Sequence, residues 1–93
     1  RRRQLMLEGL NSLGLSCVKP QGAFYVFSSI KKTGLNSLDF AQKLLREQKV
    51  AVVPGRAFGR GFDDYIRISY ASSMDNLKEA LNRIGVFLKR STQ

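Results

Sequence analysis

The spacing of apolar residues predicts three amphipathic helices. The first occupies residues 1–14 and ends at Gly14, a residue type that commonly terminates helices. The second spans about 37–49 and the third about 73–90, and each follows polar residues suited to capping a helix N-terminus. The candidate caps are Asn36 or Ser37 and Ser72 or Ser73. The predicted core-facing positions are Leu5, Leu10 and Leu13, then Phe40, Ala41, Leu44 and Leu45, then Leu77, Ala80, Leu81, Ile84 and Leu88.

Three short segments have the composition of β-strands. Ala23–Phe27 is five consecutive apolar or aromatic residues, which predicts a strand covered on both faces. Val50–Val53 is a shorter apolar run closed by Pro54 and Gly55. Tyr65–Tyr70 alternates between two faces. One face carries Ile66, Ile68 and Tyr70, and the other carries Tyr65, Arg67 and Ser69.

The order of elements predicts the fold class. The segments between them read as loops or turns at Leu15–Pro20, Lys31–Asn36 and the glycine-rich Gly55–Gly61. The order α, β, α, β, β, α in 93 residues predicts one domain, residues 1–93, of the α+β class. We expect a two-layer α/β sandwich with its helices packed on one face of a small sheet. Because the chain begins without Met inside a helical pattern, residues 1–14 are expected to be the truncated end of a longer helix.

The composition excludes several kinds of chemistry. One cysteine, Cys17, and no histidine leave no internal disulfide, no metal-ligand set and no Cys-His or Ser-His catalytic pair. A chain of this length buries roughly 60 to 65% of its unfolded surface, which is too little for a large enzyme with its own cofactor cleft. No apolar run approaches the roughly 18 residues of a membrane span. We therefore expect a soluble, cytoplasmic protein without a metal or a membrane partner.

The charge balance favours an acidic partner without identifying it. Sixteen Lys and Arg against seven Asp and Glu give a formal net charge of +9. This charge suits nucleic acid, an acidic membrane or an acidic protein surface, although basic residues spread along a chain most often form a solvated face. One alternative function is therefore a stand-alone basic module that binds nucleic acid through Arg1–Arg3 and the loop from Arg56 to Arg60.

Two local motifs imitate catalytic signatures but fail on context. In the glycine-rich segment, Arg60 stands where a phosphate-binding P-loop needs its second glycine. Ser16–Lys19 and Lys32–Gly34 match the S-x-x-K and K-T-G of penicillin-binding enzymes, but the first lysine precedes Pro20 in a predicted loop. Neither nucleotide binding nor serine acyl transfer is predicted.

Arg67 is the residue best placed for chemistry. It lies between Ile66 and Ile68 in a predicted strand that leads into a capped helix, so its backbone is held rigidly. A planar guanidinium can bind a carboxylate through two parallel charge-assisted hydrogen bonds, a geometry that lysine cannot reproduce. From the pattern alone, however, an arginine on the polar face of a strand is most often solvated. Both interpretations stay open at this point.

Three segments, taken together, resemble a known family. They are P-x-G-A-F-Y-x-F at 20–27, V-A-V-V-P-G-x-x-F-G at 50–59, and Y-I-R-I-S-Y-A at 65–71, which Leu77–Ala80 follows. In this order they resemble the C-terminal small domain of class I and II aminotransferases, which are pyridoxal-phosphate enzymes of fold type I. The resemblance covers about Leu13 to Leu88.

The resemblance implies a function and two site residues. The complete protein would transfer an amino group between an amino acid and a 2-oxo acid, with Arg67 binding the substrate's α-carboxylate. Phe24 matches a position at the edge of the substrate pocket. Pro54–Gly55 and Phe58–Gly59 match a segment near the mouth of the active site that moves when the small domain closes. Relatives of this fold also perform lyase chemistry on amino acids, which is a second alternative.

The resemblance also implies what the chain lacks. The family's Schiff-base lysine, the aspartate at the pyridine nitrogen and the phosphate-binding residues belong to a large domain outside these residues. We therefore expect no catalytic or cofactor-binding residue here, no covalently bound pyridoxal phosphate and no transamination by the chain alone. The complete enzyme is expected to be a homodimer. Exposed Leu5, Leu10 and Leu13 on the first helix would make the isolated piece self-associate.

Overall fold

The computed structural model describes residues 1–18 and 24–91, which form three helices and four strands. The helices are α1 (Arg2–Ser12), α2 (Ser37–Gln48) and α3 (Met74–Ser91), and the strands are β1 (Cys17–Val18), β2 (Tyr25–Ser29), β3 (Val53–Pro54) and β4 (Tyr65–Ser69). Short 3-10 turns cover Lys31–Thr33, Gly55–Phe58 and Arg60–Phe62. The strands lie in the order β1-β2-β4-β3, and each neighbouring pair is antiparallel.

Strand alternation gives the sheet a core face and an outer face. On the core face Val26 of β2 pairs with Ile68 of β4, and both side chains are buried. The next pair along these strands is Phe27 with Arg67, so their side chains lie on the outer face. The predicted faces of the strand that carries Arg67 are therefore confirmed.

The helices described above cover the core face of the sheet. Phe40 of α2 and Phe87 of α3 meet edge to face with their ring centroids 5.2 Å apart. The core also contains Met6 and Leu10 from α1. The other members of the core are Leu15, Val26, Ile30, Leu44, Val50, Ile66, Ile68, Tyr70, Leu77, Ile84 and Leu88. This packing confirms the predicted α+β fold of two layers.

Helix boundaries agree closely with the prediction because their caps are local. The side chain of Asn36 accepts a hydrogen bond from the N–H of Asp39 at the start of α2. The hydroxyl of Ser73 accepts one from the N–H of Asn76 at the start of α3. Gly14, just beyond α1, has a φ of +85°, a conformation that favours glycine.

Strand boundaries depart further from the prediction. β1 lies inside the segment that the sequence predicted to be a loop. The strand was missed because its two residues form no apolar run. The strand expected at 23–27 is Tyr25–Ser29, and only one of its faces is buried. The buried Ser28 continues that strand and donates a hydrogen bond to the carbonyl of Leu15. Of the run expected at 50–53, only Val53 lies in β3.

Two predictions about burial are also wrong. Leu45 is exposed although its spacing places it on the apolar face of α2. Leu10, expected to be exposed on α1, is fully buried in this chain's own core, and Leu5 and Leu13 are partly buried. The glycine-rich segment, predicted as a loop or turn, contains two short 3-10 turns.

Some predictions fall outside the described residues. Lys19 and Pro20, on which the exclusion of serine acyl transfer depends, lie in the segment 19–23, as does Ala23. Across 1–18 and 24–91, no helix combines the length and the apolar character that a bilayer crossing requires.

Candidate functional site

Arg67 occupies the middle of the sheet. Its strand, β4, lies between β2 and β3, where Arg67 pairs with Phe27 on one side and with Val53 on the other. Its chain neighbours Ile66 and Ile68 are buried in the core, which fixes the backbone on which the side chain stands. The arginine therefore extends from a rigid support on the outer face, as its strand parity predicts.

The guanidinium of Arg67 lies against aromatic rings. Its Cζ is 4.2 Å from the ring centroid of Tyr25 and 4.7 Å from that of Phe58, distances at which a cation is attracted to a ring face. Its Nε is buried and has no hydrogen-bond partner among the described residues. The site thus presents a positioned cation with an unused donor, which suits an anionic acceptor such as a carboxylate.

Further aromatic side chains extend this face. Phe27 meets Phe58 edge to face at 5.4 Å between centroids, and Phe62 lies 5.9 Å from Phe27. The exposed fractions of Tyr25, Phe58 and Phe62 are 44%, 39% and 43%. Solvent therefore reaches several large rings around one guanidinium, while Arg67 itself is half-buried and its Nε is enclosed.

Sequence reasoning did not group these rings with Arg67. The shared parity of Tyr25 and Phe27 within one strand was an available signal. The pairing of Phe27 with Arg67 joins positions 40 residues apart and depends on sheet register, which the local pattern does not contain.

The loop that carries Phe58 is held by a latch of three residues, Ser37, Arg56 and Asp63. The Arg56 guanidinium donates from Nε to Asp63 Oδ1 at 2.9 Å and from a terminal nitrogen to Oδ2 at 3.3 Å. The Ser37 hydroxyl donates to Asp63 Oδ1 at 2.8 Å and accepts from the backbone N–H of Arg56 at 3.0 Å. The latch therefore joins both ends of the loop to the first residue of α2.

The latch shifts the titration of its charged members. The hydrogen bonds from Arg56 and then from Ser37 lower the pKa of Asp63 below its ordinary value. The same hydrogen bond to Asp63 raises the pKa of Arg56. Both shifts favour the ionised pair, so the latch is charged at neutral pH.

The structure does not bring Phe24 to Arg67. The exposed ring of Phe24 meets Tyr70 edge to face at 5.8 Å between centroids, and Tyr70 belongs to the buried core. Phe24 and Tyr70 line a cavity of about 550 Å³ together with Met74 and Arg1–Arg3. Phe24 is thus placed near the end of the sheet, apart from the aromatic group around the arginine.

Helices cover one face of the sheet, and a rigid arginine stands on the other. A comparison of the sequence with known families identifies where this arrangement belongs. The chain belongs to the family described as aminotransferase class I and II, whose sequence profile matches residues 1–84. That range includes Arg67, Tyr25, Phe58 and the latch.

Individual relatives carry more specific names. An aspartate aminotransferase of Pyrococcus abyssi is 52% identical over 89 residues, which cover 96% of this chain and 23% of the relative. Aromatic-amino-acid aminotransferase 2 of Thermococcus litoralis is 51% identical over the same shares of the two chains. The crystal structure of an aromatic aminotransferase from Pyrococcus horikoshii is 49% identical with a TM-score of 0.94, over 99% of this chain and 24% of that one. The chain spans about a quarter of the length of the curated relatives it matches.

The rings that contact Arg67 do not supply the amine that the family's cofactor needs. Pyridoxal phosphate needs a lysine amine for its covalent link to the enzyme. Among residues 1–18 and 24–91, the guanidinium contacts the rings of Tyr25 and Phe58, which supply no amine. The chemistry of this site is that of holding an anion beside an aromatic surface.

Proposed function

We propose that the chain is the C-terminal small domain of a pyridoxal-phosphate-dependent aminotransferase. The complete enzyme exchanges an amino group between an amino acid and a 2-oxo acid, as a cytoplasmic homodimer whose cofactor is held outside this chain. Arg67 binds the α-carboxylate of both substrates. The names of the relatives support amino-group transfer over lyase chemistry on the same fold.

The observation that carries this proposal is the buried Nε of Arg67, which has no hydrogen-bond partner among the described residues. A buried donor left unpaired costs roughly 1 to 3 kcal/mol, so proteins rarely keep one without use. A ligand carboxylate would accept from this donor and from a terminal nitrogen of the same guanidinium at once. An arginine built for that purpose explains both the rigid strand and the accessible aromatic surroundings.

An α-carboxylate is a suitable ligand for a residue this rigid. The amino acid and the 2-oxo acid of a transamination differ at the reacting carbon and in their side chains, but both carry a carboxylate beside that carbon. A fixed guanidinium in the central strand positions each substrate in the same way, which lowers the entropic part of the barrier. Phe24, which packs on Tyr70 apart from Arg67, would lie at another part of the pocket edge.

Steady-state kinetics of the full-length enzyme test the role of Arg67. The probes are L-aspartate and L-phenylalanine as amino donors, with 2-oxoglutarate as acceptor. We expect Arg67→Ala to raise KM and to lower kcat/KM by several orders of magnitude, because losing one partner of a buried charge-assisted pair costs roughly 3 to 5 kcal/mol. Arg46→Ala, which removes an exposed arginine from α2, is the matched control and should leave the kinetics unchanged. Wild-type kinetics in Arg67→Ala would exclude the proposed role.

A further inference from the structure

The ring of Phe58 lies outside the buried core, on a loop. Phe58 ends the 3-10 turn Gly55–Phe58, whose buried member is Gly55, and 39% of its own surface remains exposed. On the sheet its ring contacts that of Phe27, with 5.4 Å between ring centroids. The position of the ring therefore depends on how the loop is held as well as on this contact.

The latch fastens that loop near both of its ends. Arg56 lies two residues before Phe58, and Asp63 lies five residues after it. The ion pair between them closes the loop, and Ser37 joins the closed loop to α2 through three hydrogen bonds, one from its own N–H to the Asp63 carbonyl at 2.7 Å. Backbone contact supports the closure, because a Cβ on Gly55 would lie 1.9 Å from the carbonyl oxygen of Phe62. A closed loop with fixed ends leaves the ring of Phe58 little freedom to move away from Arg67.

We infer that the latch of Ser37, Arg56 and Asp63 positions Phe58 against the Arg67 guanidinium and thereby sets the affinity for the substrate's carboxylate. This inference rests on the proposed function of Arg67. With Tyr25 at 4.2 Å and Phe58 at 4.7 Å, the guanidinium has lost part of its rotamer freedom before a ligand arrives. Binding of a carboxylate then costs less conformational entropy of the Arg67 side chain, as it does at any preorganised site.

The latch has a second effect on the charges near the site. Arg56 directs two guanidinium nitrogens to Asp63, so this cation of the loop is already paired with a carboxylate. The Nε of Arg67 has no partner among the described residues. An incoming carboxylate therefore finds Asp63 already occupied by Arg56, whereas Arg67 still has a donor to offer. Ser37, Arg56 and Asp63 act through Phe58 and Arg67, and they are positioning residues.

Kinetics of the full-length enzyme with L-aspartate and L-phenylalanine test this inference through two independent variants. Asp63→Asn weakens the latch, and Phe58→Leu removes the ring while leaving the latch intact. We expect each variant to raise KM about five- to tenfold and to keep kcat within about twofold, because ground-state orientation is lost while the reacting groups are untouched. Glu79→Gln is the matched control, since it breaks another ion pair of 2.9 Å on a distant helix.

A double-mutant comparison separates positioning from a general loss of structure. If the latch acts through Arg67, Asp63→Asn adds little to KM once Arg67 is replaced by lysine, because the geometry that it supported is already gone. Asp63→Glu, which keeps the charge, should recover part of the wild-type KM. Full additivity of Asp63→Asn and Arg67→Lys would overturn the inference.

The two proposals fail in different ways. If Arg67→Lys leaves KM unchanged, the carboxylate role of Arg67 is wrong and the latch has no binding function to support. If Arg67→Lys raises KM while Phe58→Leu behaves like Glu79→Gln, only the inference about the latch is overturned. Should Asp63→Asn fail to fold, Arg56→Gln takes its place, because it removes the other half of the ion pair and leaves Phe58 unchanged. A wild-type KM in that variant would overturn the inference.

Discussion

The Nε–H of Arg67 is buried without an acceptor among the described residues, at the centre of an otherwise well-packed sheet. Buried donors are usually paired, because an unpaired one forfeits its hydrogen bond to water and gains nothing in return. The rings of Tyr25 and Phe58 attract the charge of the guanidinium but do not satisfy its N–H groups. The unpaired donor is therefore readily explained by a ligand that binds there.

The sequence predicts part of this site. Strand parity places Arg67 opposite Ile66 and Ile68, and the structure confirms it. The ring of Phe58 reaches the guanidinium only through a folded loop, and Tyr25 reaches it from the neighbouring strand β2. Those contacts depend on register and on loop closure, which no local pattern of residues contains.

Gly55 provides a test of backbone packing at single-residue scale. We expect Gly55→Ala to lower the free energy of unfolding of the 93-residue chain by about 2 to 3 kcal/mol, since its Cβ would collide with the carbonyl oxygens of Phe62 and Tyr65. Chemical denaturation measures the change. Gly61→Ala is the control, because no atom lies within 4 Å of its added Cβ. Equal stabilities of the two variants would show that the loop is not closed as described.

At the scale of elements, the helices were easier to predict than the strands. Caps such as Asn36 lie within three residues of the N–H groups they bind, so the start of a helix can be recognised from the local sequence. β1 and β3 have two residues each and exist because β2 and β4 offer them free edges. A strand of that length has no periodicity of its own to detect.

The latch is an element-scale feature that the sequence could not show. Nothing in the sequence around Ser37 indicates a link to the glycine-rich loop. Its hydroxyl nevertheless donates a hydrogen bond to Asp63, 26 residues away. The glycine-rich composition of 55–61 predicted a loop or turn, but not the ion pair of Arg56 with Asp63 that closes it. Distant polar pairs of this kind become visible only when the chain is folded.

The latch predicts how stability depends on pH. Because its folded-state pKa is lowered, Asp63 adds stability above its unfolded pKa of about 3.9, and this contribution is lost as pH falls through the lower folded value. We expect Asp63→Asn to destabilise the 93-residue chain at pH 7, with the difference from wild type shrinking as pH falls through the lowered folded-state pKa of Asp63. Denaturation at several pH values measures this. Asp64→Asn is the control, and a pH-independent effect of Asp63→Asn would contradict the charged latch.

At the scale of the whole molecule, the described residues share one core. Fifteen buried apolar residues from the three helices, the two central strands and the segments beside them form one cluster. The first helix contributes Met6 and Leu10 to this cluster instead of presenting Leu10 to a partner. Fold class followed from the sequence because α2 and α3 each have one apolar face, whereas the packing of α1 depended on tertiary contacts.

A complete core predicts that the 93-residue chain folds by itself. We expect one cooperative thermal transition, seen at the same temperature by far-ultraviolet circular dichroism and by tyrosine fluorescence, because one cluster joins the three helices to the two central strands. Transitions at different temperatures for the two probes, or a gradual loss of signal, would mean that the domain needs the rest of the enzyme to fold.

The most direct measurement of Arg67's function is a crystal structure of the full-length enzyme with a bound amino acid or 2-oxo acid. We expect both carboxylate oxygens to lie about 2.7 to 2.9 Å from Arg67 nitrogens, one of them Nε, with Phe58 and Tyr25 still beside the guanidinium. A carboxylate bound by other residues, with the Nε of Arg67 still unpaired, would contradict the proposed role.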